Sequence, residues 1–125
     1  MGPTFLQEPS SKSAIKATTA TFDCQIDVSQ PSYRWQKDGS NITKGSISLF
    51  GSVSSLQIDN LEFSDSGNYS CIATDRQSGQ SGERTGTLVV KGIVLYSILY
   101  GVQYFSSEVR KYELKGDQLT DRLTS

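Results

Sequence analysis

The sequence predicts an all-β protein, an antiparallel β-sandwich followed by a C-terminal extension. Two observations predict this fold. Apolar residues alternate with polar ones through most of the first ninety residues, as they do in strands with one buried face. Turn-forming residues separate these runs roughly every 8–12 residues, a spacing typical of sandwiches and barrels. This pattern favours a sandwich over alternating β and α units.

The first elements lie in the N-terminal third of the chain. Phe5 and Leu6 begin a strand, and Pro9 interrupts it. Residues 20–26 alternate between apolar and polar side chains, which predicts a half-buried strand. A short strand is predicted over residues 47–49 and ends at Gly51. Three later strands are predicted from their inward-facing residues, which are Leu56 and Ile58, then Tyr69, Cys71 and Ala73, then Leu88 and Val90.

A further strand and turn are predicted between residues 33 and 40. Tyr33 and Trp35 share the inward face of this strand, and Arg34 and Gln36 point outward, where they could serve a flat contact. The dipeptide Asp38-Gly39 follows at once and supplies the positive φ angles that tight hairpin turns require.

The pattern changes near residue 91, which predicts a domain over residues 4–91 and an extension over 92–125. Residues 93–105 are apolar on both strand faces, but about 20 residues are needed to span a bilayer, so no membrane insertion is expected. Tyr96, Tyr100 and Tyr104 would share one face of a helix, and Ser107 could cap a second helix. The 93–105 segment is either a contact surface for another domain or a partner chain, a second copy included, or the end of a truncated product.

Composition excludes several classes of function. Twelve basic and 13 acidic residues give a net charge of −1. Such a chain has no long-range positive electrostatic potential to attract nucleic acid. The sequence contains no histidine, so the usual general base and most zinc ligand sets are missing. We therefore expect no enzyme, no cofactor and no metal site. Residues 1–4 lack the basic n-region and the apolar h-region of a signal peptide, so we expect a domain excised from a longer protein, with no signal peptide in this chain.

Four residues carry a recognisable motif. Cys24 and Cys71 lie 47 positions apart, Trp35 lies between them, and Tyr69 stands two residues before the second cysteine. Residues 56–71 have the form L-x-I-x-x-L-x-x-x-D-x-G-x-Y-x-C, which resembles the E–F corner of the immunoglobulin superfamily. Trp35-Gln36-Lys37-Asp38-Gly39 is similar to a turn of that superfamily's I-set. The resemblance covers residues 4–91.

The resemblance implies a set of structural roles. It implies a disulfide between Cys24 and Cys71, and hence an oxidising compartment outside the cell or on its surface. It implies that the Tyr69 hydroxyl bonds to the backbone of the preceding corner and that Asp65 pairs with Lys44 rather than acting in catalysis. The implied core is Phe22, Cys24, Trp35, Leu56, Ile58, Tyr69, Cys71 and Leu88.

Two finer features bear on this resemblance. Residues 5–11 and 73–79 resemble the first immunoglobulin domain of catalytically inactive receptor tyrosine kinases of the colon-carcinoma kinase type. Ala17-Thr18-Thr19 stands where the family usually has a glycine turn, so the conformation of that turn is an open question.

Sequons and one loop complete the candidate sites. Asn41 and Asn68 each begin an N-glycosylation sequon, which favours a secreted glycoprotein. The loop over residues 75–83 carries Arg76, Gln77 and Gln80 and is either a binding loop or a flexible hairpin.

These features predict a non-catalytic recognition module of a cell-surface or secreted receptor or adhesion protein. Its expected partner is another protein, with another immunoglobulin-like domain as one candidate. An intracellular I-set spacer of the muscle and cytoskeletal kind shares most of the core motif and is the first alternative. A secreted lectin or pattern receptor is the second.

Overall fold

Strand alternation sorts the apolar side chains onto the facing sides of two β-sheets. The computed structural model describes residues 2–93 and the short strand 105–106. The strands, in chain order, are β1 (Phe5–Gln7), β2 (Lys12–Ile15), β3 (Ala20–Ile26), β4 (Pro31–Lys37), β5 (Ser40–Asn41), β6 (Ser46–Phe50), β7 (Val53–Ile58), β8 (Gly67–Asp75), β9 (Ser81–Ile93) and β10 (Phe105–Ser106). Among the described residues the one helical element is a 3₁₀ turn, Phe63–Asp65.

The two sheets have the strand orders of a sandwich. The first sheet runs β1-β3-β7-β6, and the second runs β10-β9-β8-β4-β5 with β2 beside β9. Strand β3 shows why the layers pack, because every second residue from Ala20 to Ile26 is buried and those between are half-buried. The all-β sandwich that the sequence predicts is therefore confirmed. All eight residues of the implied core are buried, and Ala20, Ile26, Leu61, Ala73 and Val90 join them.

One pairing corrects the expectation of a wholly antiparallel sandwich. Strand β2 runs parallel to β9, with Lys12 opposite Leu88 and Ile15 opposite Lys91. The chain leaves the first sheet after β1, passes buried Pro9 and continues along the second sheet. Gly86 allows this passage, because a Cβ atom there would lie 2.7 Å from the carbonyl oxygen of Pro9.

Two turns have the backbone conformations that their positions require. Asp38 and Gly39 connect β4 to β5 with φ angles of 50° and 85°, the positive values of a type I′ hairpin turn. Ala17 has a φ angle of 73°, so the turn in which the family usually places glycine keeps a left-handed conformation without it.

The C-terminal end of β9 continues past the predicted boundary to Ile93. The backbone of Phe105 pairs with Ile93 and that of Ser106 pairs with Gly92, both antiparallel. The proposed tyrosine face of Tyr96, Tyr100 and Tyr104 and the helix after Ser107 lie outside the described residues.

Candidate binding surfaces

A disulfide joins the two sheets at the centre of the core. Cys24 on β3 and Cys71 on β8 are bonded, as the motif implied. Trp35 lies opposite Cys71 in the second sheet, and Ser54 lies opposite Cys24 in the first. The indole Nε1 of Trp35 donates a hydrogen bond of 2.9 Å to Ser54 Oγ, so its one polar atom is satisfied while the ring is buried. This arrangement holds the sheets in a fixed relation and leaves their outer surfaces and loops free to vary.

A tyrosine corner fixes the connection into β8. The Tyr69 hydroxyl donates a hydrogen bond of 2.6 Å to the backbone carbonyl of Asp65, and the ring stacks on Phe22 with centroids 5.2 Å apart. Desolvation by burial, followed by the nearby charges of Asp65 and Asp38, raises the pKa of Tyr69 to about 12. The phenol therefore remains a neutral hydrogen-bond donor, which is a structural role.

Asp65 lies at the same corner, and its carboxylate accepts hydrogen bonds from two donors. Lys44 Nζ lies 2.7 Å from Asp65 Oδ2, and the backbone N–H of Glu62 donates to the same oxygen at 2.8 Å. Burial opposes ionisation of Asp65, but these hydrogen bonds and the charge of Lys44 outweigh it, so the pKa of Asp65 lies below its usual value. The hydrogen bond to Asp65 in turn raises the pKa of Lys44. Within the described residues, no group of three potential metal ligands is present.

The loop after β8 meets the loop after β3 at one end of the sandwich. The backbone N–H of Arg76 donates to the carbonyl of Gln30 at 3.0 Å, and Ser29 Oγ donates to Gln77 Oε1 at 3.3 Å. These contacts join residues that the sequence alone did not connect. The 75–83 loop therefore presents its side chains next to those of a second loop, which is how sandwich folds build recognition surfaces.

The 75–83 loop is also closed by its own hydrogen bonds. Gly79 N–H donates to the Asp75 carbonyl at 2.7 Å, and Asp75 N–H donates to the Gln80 carbonyl at 2.8 Å. Gly79 has a φ angle of 81°, which glycine adopts at no steric cost. Arg76, Gln77 and Gln80 are exposed around this turn and can offer hydrogen bonds to a partner.

The outer face of the second sheet offers a flatter surface. Arg34 on β4 is exposed and lies opposite half-buried Ile72, which lies opposite exposed Glu83 on β9. A polar row lies on each side of this mixed row. The sequence predicts only Arg34 and Gln36 on this face, because the register between strands cannot be read from one strand. The three rows are Ser32–Thr74–Ser81, Arg34–Ile72–Glu83 and Gln36–Ser70–Thr85.

The two sequon asparagines lie on this second sheet. Asn41 is exposed at the end of β5. Asn68 is exposed near the start of β8, where its Oδ1 accepts a hydrogen bond of 2.8 Å from Thr87 Oγ1 and its backbone N–H donates to Asp38. Both side chains are therefore placed at the surface.

Comparison with known proteins identifies the family. Residues 3–75 match the family described as "Immunoglobulin domain". This chain belongs to the immunoglobulin domain family. Human Roundabout homolog 2 is 31% identical over 90 residues, which cover 71% of this chain and 6% of that protein. Human neural cell adhesion molecule L1 is 37% identical over 73 residues, which cover 54% of this chain and 6% of that protein. The immunoglobulin domain thus spans a small part of these relatives.

Solved structures show the same fold. The titin domains Z1Z2 in complex with telethonin superpose with a TM-score of 0.66 at 30% identity, covering 74% of this chain and 49% of that chain. Among the described residues, no helix of this immunoglobulin domain is long and apolar enough to cross a bilayer.

Proposed function

We propose that this immunoglobulin domain is a non-catalytic protein-recognition module of an extracellular or cell-surface receptor or adhesion protein. The observation that carries the proposal is the buried Cys24–Cys71 disulfide in contact with the core. Such a bond persists in oxidising compartments and is rare in the cytosol. The similarity to Roundabout homolog 2 and to L1, which is named as a cell adhesion molecule, supports the same assignment.

Two surfaces are proposed to bind the partner. The loop surface contains Arg76, Gln77 and Gln80, and the outer face of the second sheet contains Arg34. Both mix exposed charge with small polar side chains, which suits a hydrogen-bonded contact with another protein. That titin Z1Z2 has been solved with telethonin supports a protein as the class of partner, and another immunoglobulin-like domain is the candidate we favour.

Further parts of this proposal concern the module's limits and modification. We propose residues 4–91 as the module and 92–125 as an extension that begins within strand β9, which continues to Ile93. We also propose glycans on Asn41 and Asn68. The short resemblances to the inactive colon-carcinoma kinase type receptors favour a receptor as the parent protein.

An intracellular spacer domain is the alternative, and the similarity to titin structures supports it. The two functions differ in chemistry that can be measured. An extracellular module keeps its disulfide and carries glycans, whereas a cytosolic spacer has reduced cysteines and bare asparagines.

A binding screen tests the proposed function and locates the surface. The chain would be displayed as a biotin-linked tetramer, which raises apparent affinity, against purified immunoglobulin-domain ectodomains. We expect saturable binding that Arg34→Glu or Arg76→Glu weakens about tenfold, a change of about 1.4 kcal/mol. Lys16→Glu is the matched control, because Lys16 is exposed beyond β2, near the opposite end of β9 from the loop surface. Absence of binding to every ectodomain, or equal loss in all three variants, would contradict the proposal.

A further inference from the structure

Among the described residues, strand β6 is an edge of the first sheet with no strand paired on its outer side. It is the last strand in the order β1-β3-β7-β6, and its apolar side chains are exposed, Ile47 by 51%, Leu49 by 61% and Phe50 by 88%. Residues 45–58 contain no charged side chain. Natural edge strands are usually protected by charge, proline or a bulge, because their free backbone groups can pair with another chain. This edge therefore has the properties of a surface that accepts a strand.

The hairpin geometry determines which backbone groups are free. A two-residue turn, Gly51-Ser52, joins β6 to β7, so Phe50 and Val53 form the closing pair. In such a hairpin the closing pair exchanges both backbone hydrogen bonds, and pairs alternate from there along the ladder. The N–H and C=O groups of Ile47 and Leu49 consequently point away from β7 and toward solvent.

The same two residues explain the exposed apolar surface. Ile47 lies opposite Leu56 and Leu49 lies opposite Ser54, both of which are buried. Residues paired in this way point to the same side of a sheet, so Ile47 and Leu49 face the space between the sheets. In the part of the chain that the structure describes, the second sheet ends on this side with β5, which is only two residues long and does not cover them.

We propose that two copies of this chain associate by pairing β6 with β6 in antiparallel orientation. The strand is self-complementary about Ser48. With Ser48 opposite Ser48 of the second copy, Ile47 lies opposite Leu49 of the second copy, and Leu49 lies opposite its Ile47. The residues brought together are those with free backbone groups, so each of these apolar pairs exchanges both of its hydrogen bonds. The two four-stranded sheets become one continuous sheet, and the contact is independent of the proposed recognition surfaces.

The expected dimer is weak. A contact limited to one five-residue strand falls at the small end of protein interfaces. Sedimentation equilibrium of the full chain, over a range of concentrations, should therefore show a reversible monomer–dimer equilibrium. Leu49→Lys places a charge in the apolar pair next to the central Ser48 pair and should weaken dimerisation at least about tenfold. Leu6→Lys is the matched control, because Leu6 is 55% exposed on β1 at the other edge of the same sheet.

Engineered cysteines test the register. Ser48→Cys would bring two cysteines together in a non-hydrogen-bonded pair, with Cα atoms about 4.5 Å apart, and should give a disulfide-linked dimer on mild oxidation. Ser46→Cys lies on the same strand but opposite Phe50 of the second copy, so its two cysteines are too far apart to bond. Equal cross-linking by the two variants, a monomer at every concentration, or a dimer that Leu49→Lys leaves unchanged would overturn the proposal. The last result would place association elsewhere, including the 93–105 segment.

Discussion

Single residues carry strain and charge that the fold must accommodate, and Ala17 is the clearest case. Its φ angle of 73° lies in the left-handed region, which costs an L-residue about 1–2 kcal/mol. The turn is retained because Ala17 N–H donates to the Leu61 carbonyl at 2.7 Å and Leu61 N–H donates to the Thr18 carbonyl at 3.0 Å. Two backbone hydrogen bonds thus hold a conformation that alanine disfavours.

Replacing this residue with glycine should stabilise the domain. Ala17→Gly removes the steric cost of the left-handed conformation but adds about 0.5–1 kcal/mol of chain entropy, so we expect a net gain of about 0.5–1 kcal/mol. Urea unfolding monitored by Trp35 fluorescence would measure it. Ala14→Gly, in strand β2, is the control and should destabilise the domain by a similar amount. A loss of stability in Ala17→Gly would contradict the account of this turn.

Asp65 should make stability depend on acid pH. Because its pKa is lowered in the folded state, the carboxylate contributes stability above its unfolded pKa, near 3.8, and that contribution disappears as pH falls through the folded pKa. Asp65→Asn should therefore cost about 1–3 kcal/mol at pH 7 and flatten the fall in stability below about pH 4. Unfolding curves between pH 2 and pH 7 would test this, with exposed Asp27→Asn as the control. An unchanged acid slope in Asp65→Asn would count against the ion pair with Lys44.

At the scale of elements, local pattern predicted some strands well and others poorly. The alternation of β3 and the Asp38-Gly39 turn of β4 and β5 depend on neighbouring residues, and both are found as predicted. The parallel pairing of β2 with β9 joins residues more than seventy positions apart, and no local periodicity encodes it. Likewise, the exposure of Ile47 and Leu49 depends on how short the facing strand β5 is. Non-local packing therefore limits what a single sequence predicts.

The crossing of β1 into β2 should depend on Gly86. A Cβ atom at Gly86 would meet the backbone of Pro9 at 2.7 Å, and backbone cannot move aside easily. Gly86→Ala should therefore destabilise the domain by about 1–3 kcal/mol, measured by thermal unfolding. Gly82→Ala, on the same strand, would meet the Phe5 ring edge at 2.9 Å, a side chain that can shift, and should cost less. Equal losses of stability in the two variants would show that the crossing of β1 into β2 does not depend on the close approach of Gly86 to the Pro9 backbone.

At the scale of the whole molecule, the disulfide connects the fold with the proposed location and function. Cys24 and Cys71 close a 47-residue loop, which the chain-entropy estimate values at about 4 kcal/mol. This is comparable with the entire stability of a small domain, and it supports the proposed oxidising, extracellular environment. The layout of Cys24, Trp35 and Cys71, together with the motif from Leu56 to Cys71, allowed the core and this bond to be predicted. The partner could not be predicted, because recognition depends on surface residues that the fold leaves free to vary.

The most direct test of this account is the intact mass of the full chain, secreted from animal cells behind an added signal peptide. The protein would be unfolded and alkylated with and without reductant, then treated to remove N-linked glycans. We predict that neither cysteine is alkylated without reductant, that both are alkylated after reduction, and that glycan mass is lost from Asn41 and Asn68. Two free thiols before reduction, together with bare asparagines, would contradict an extracellular recognition module and favour the intracellular spacer.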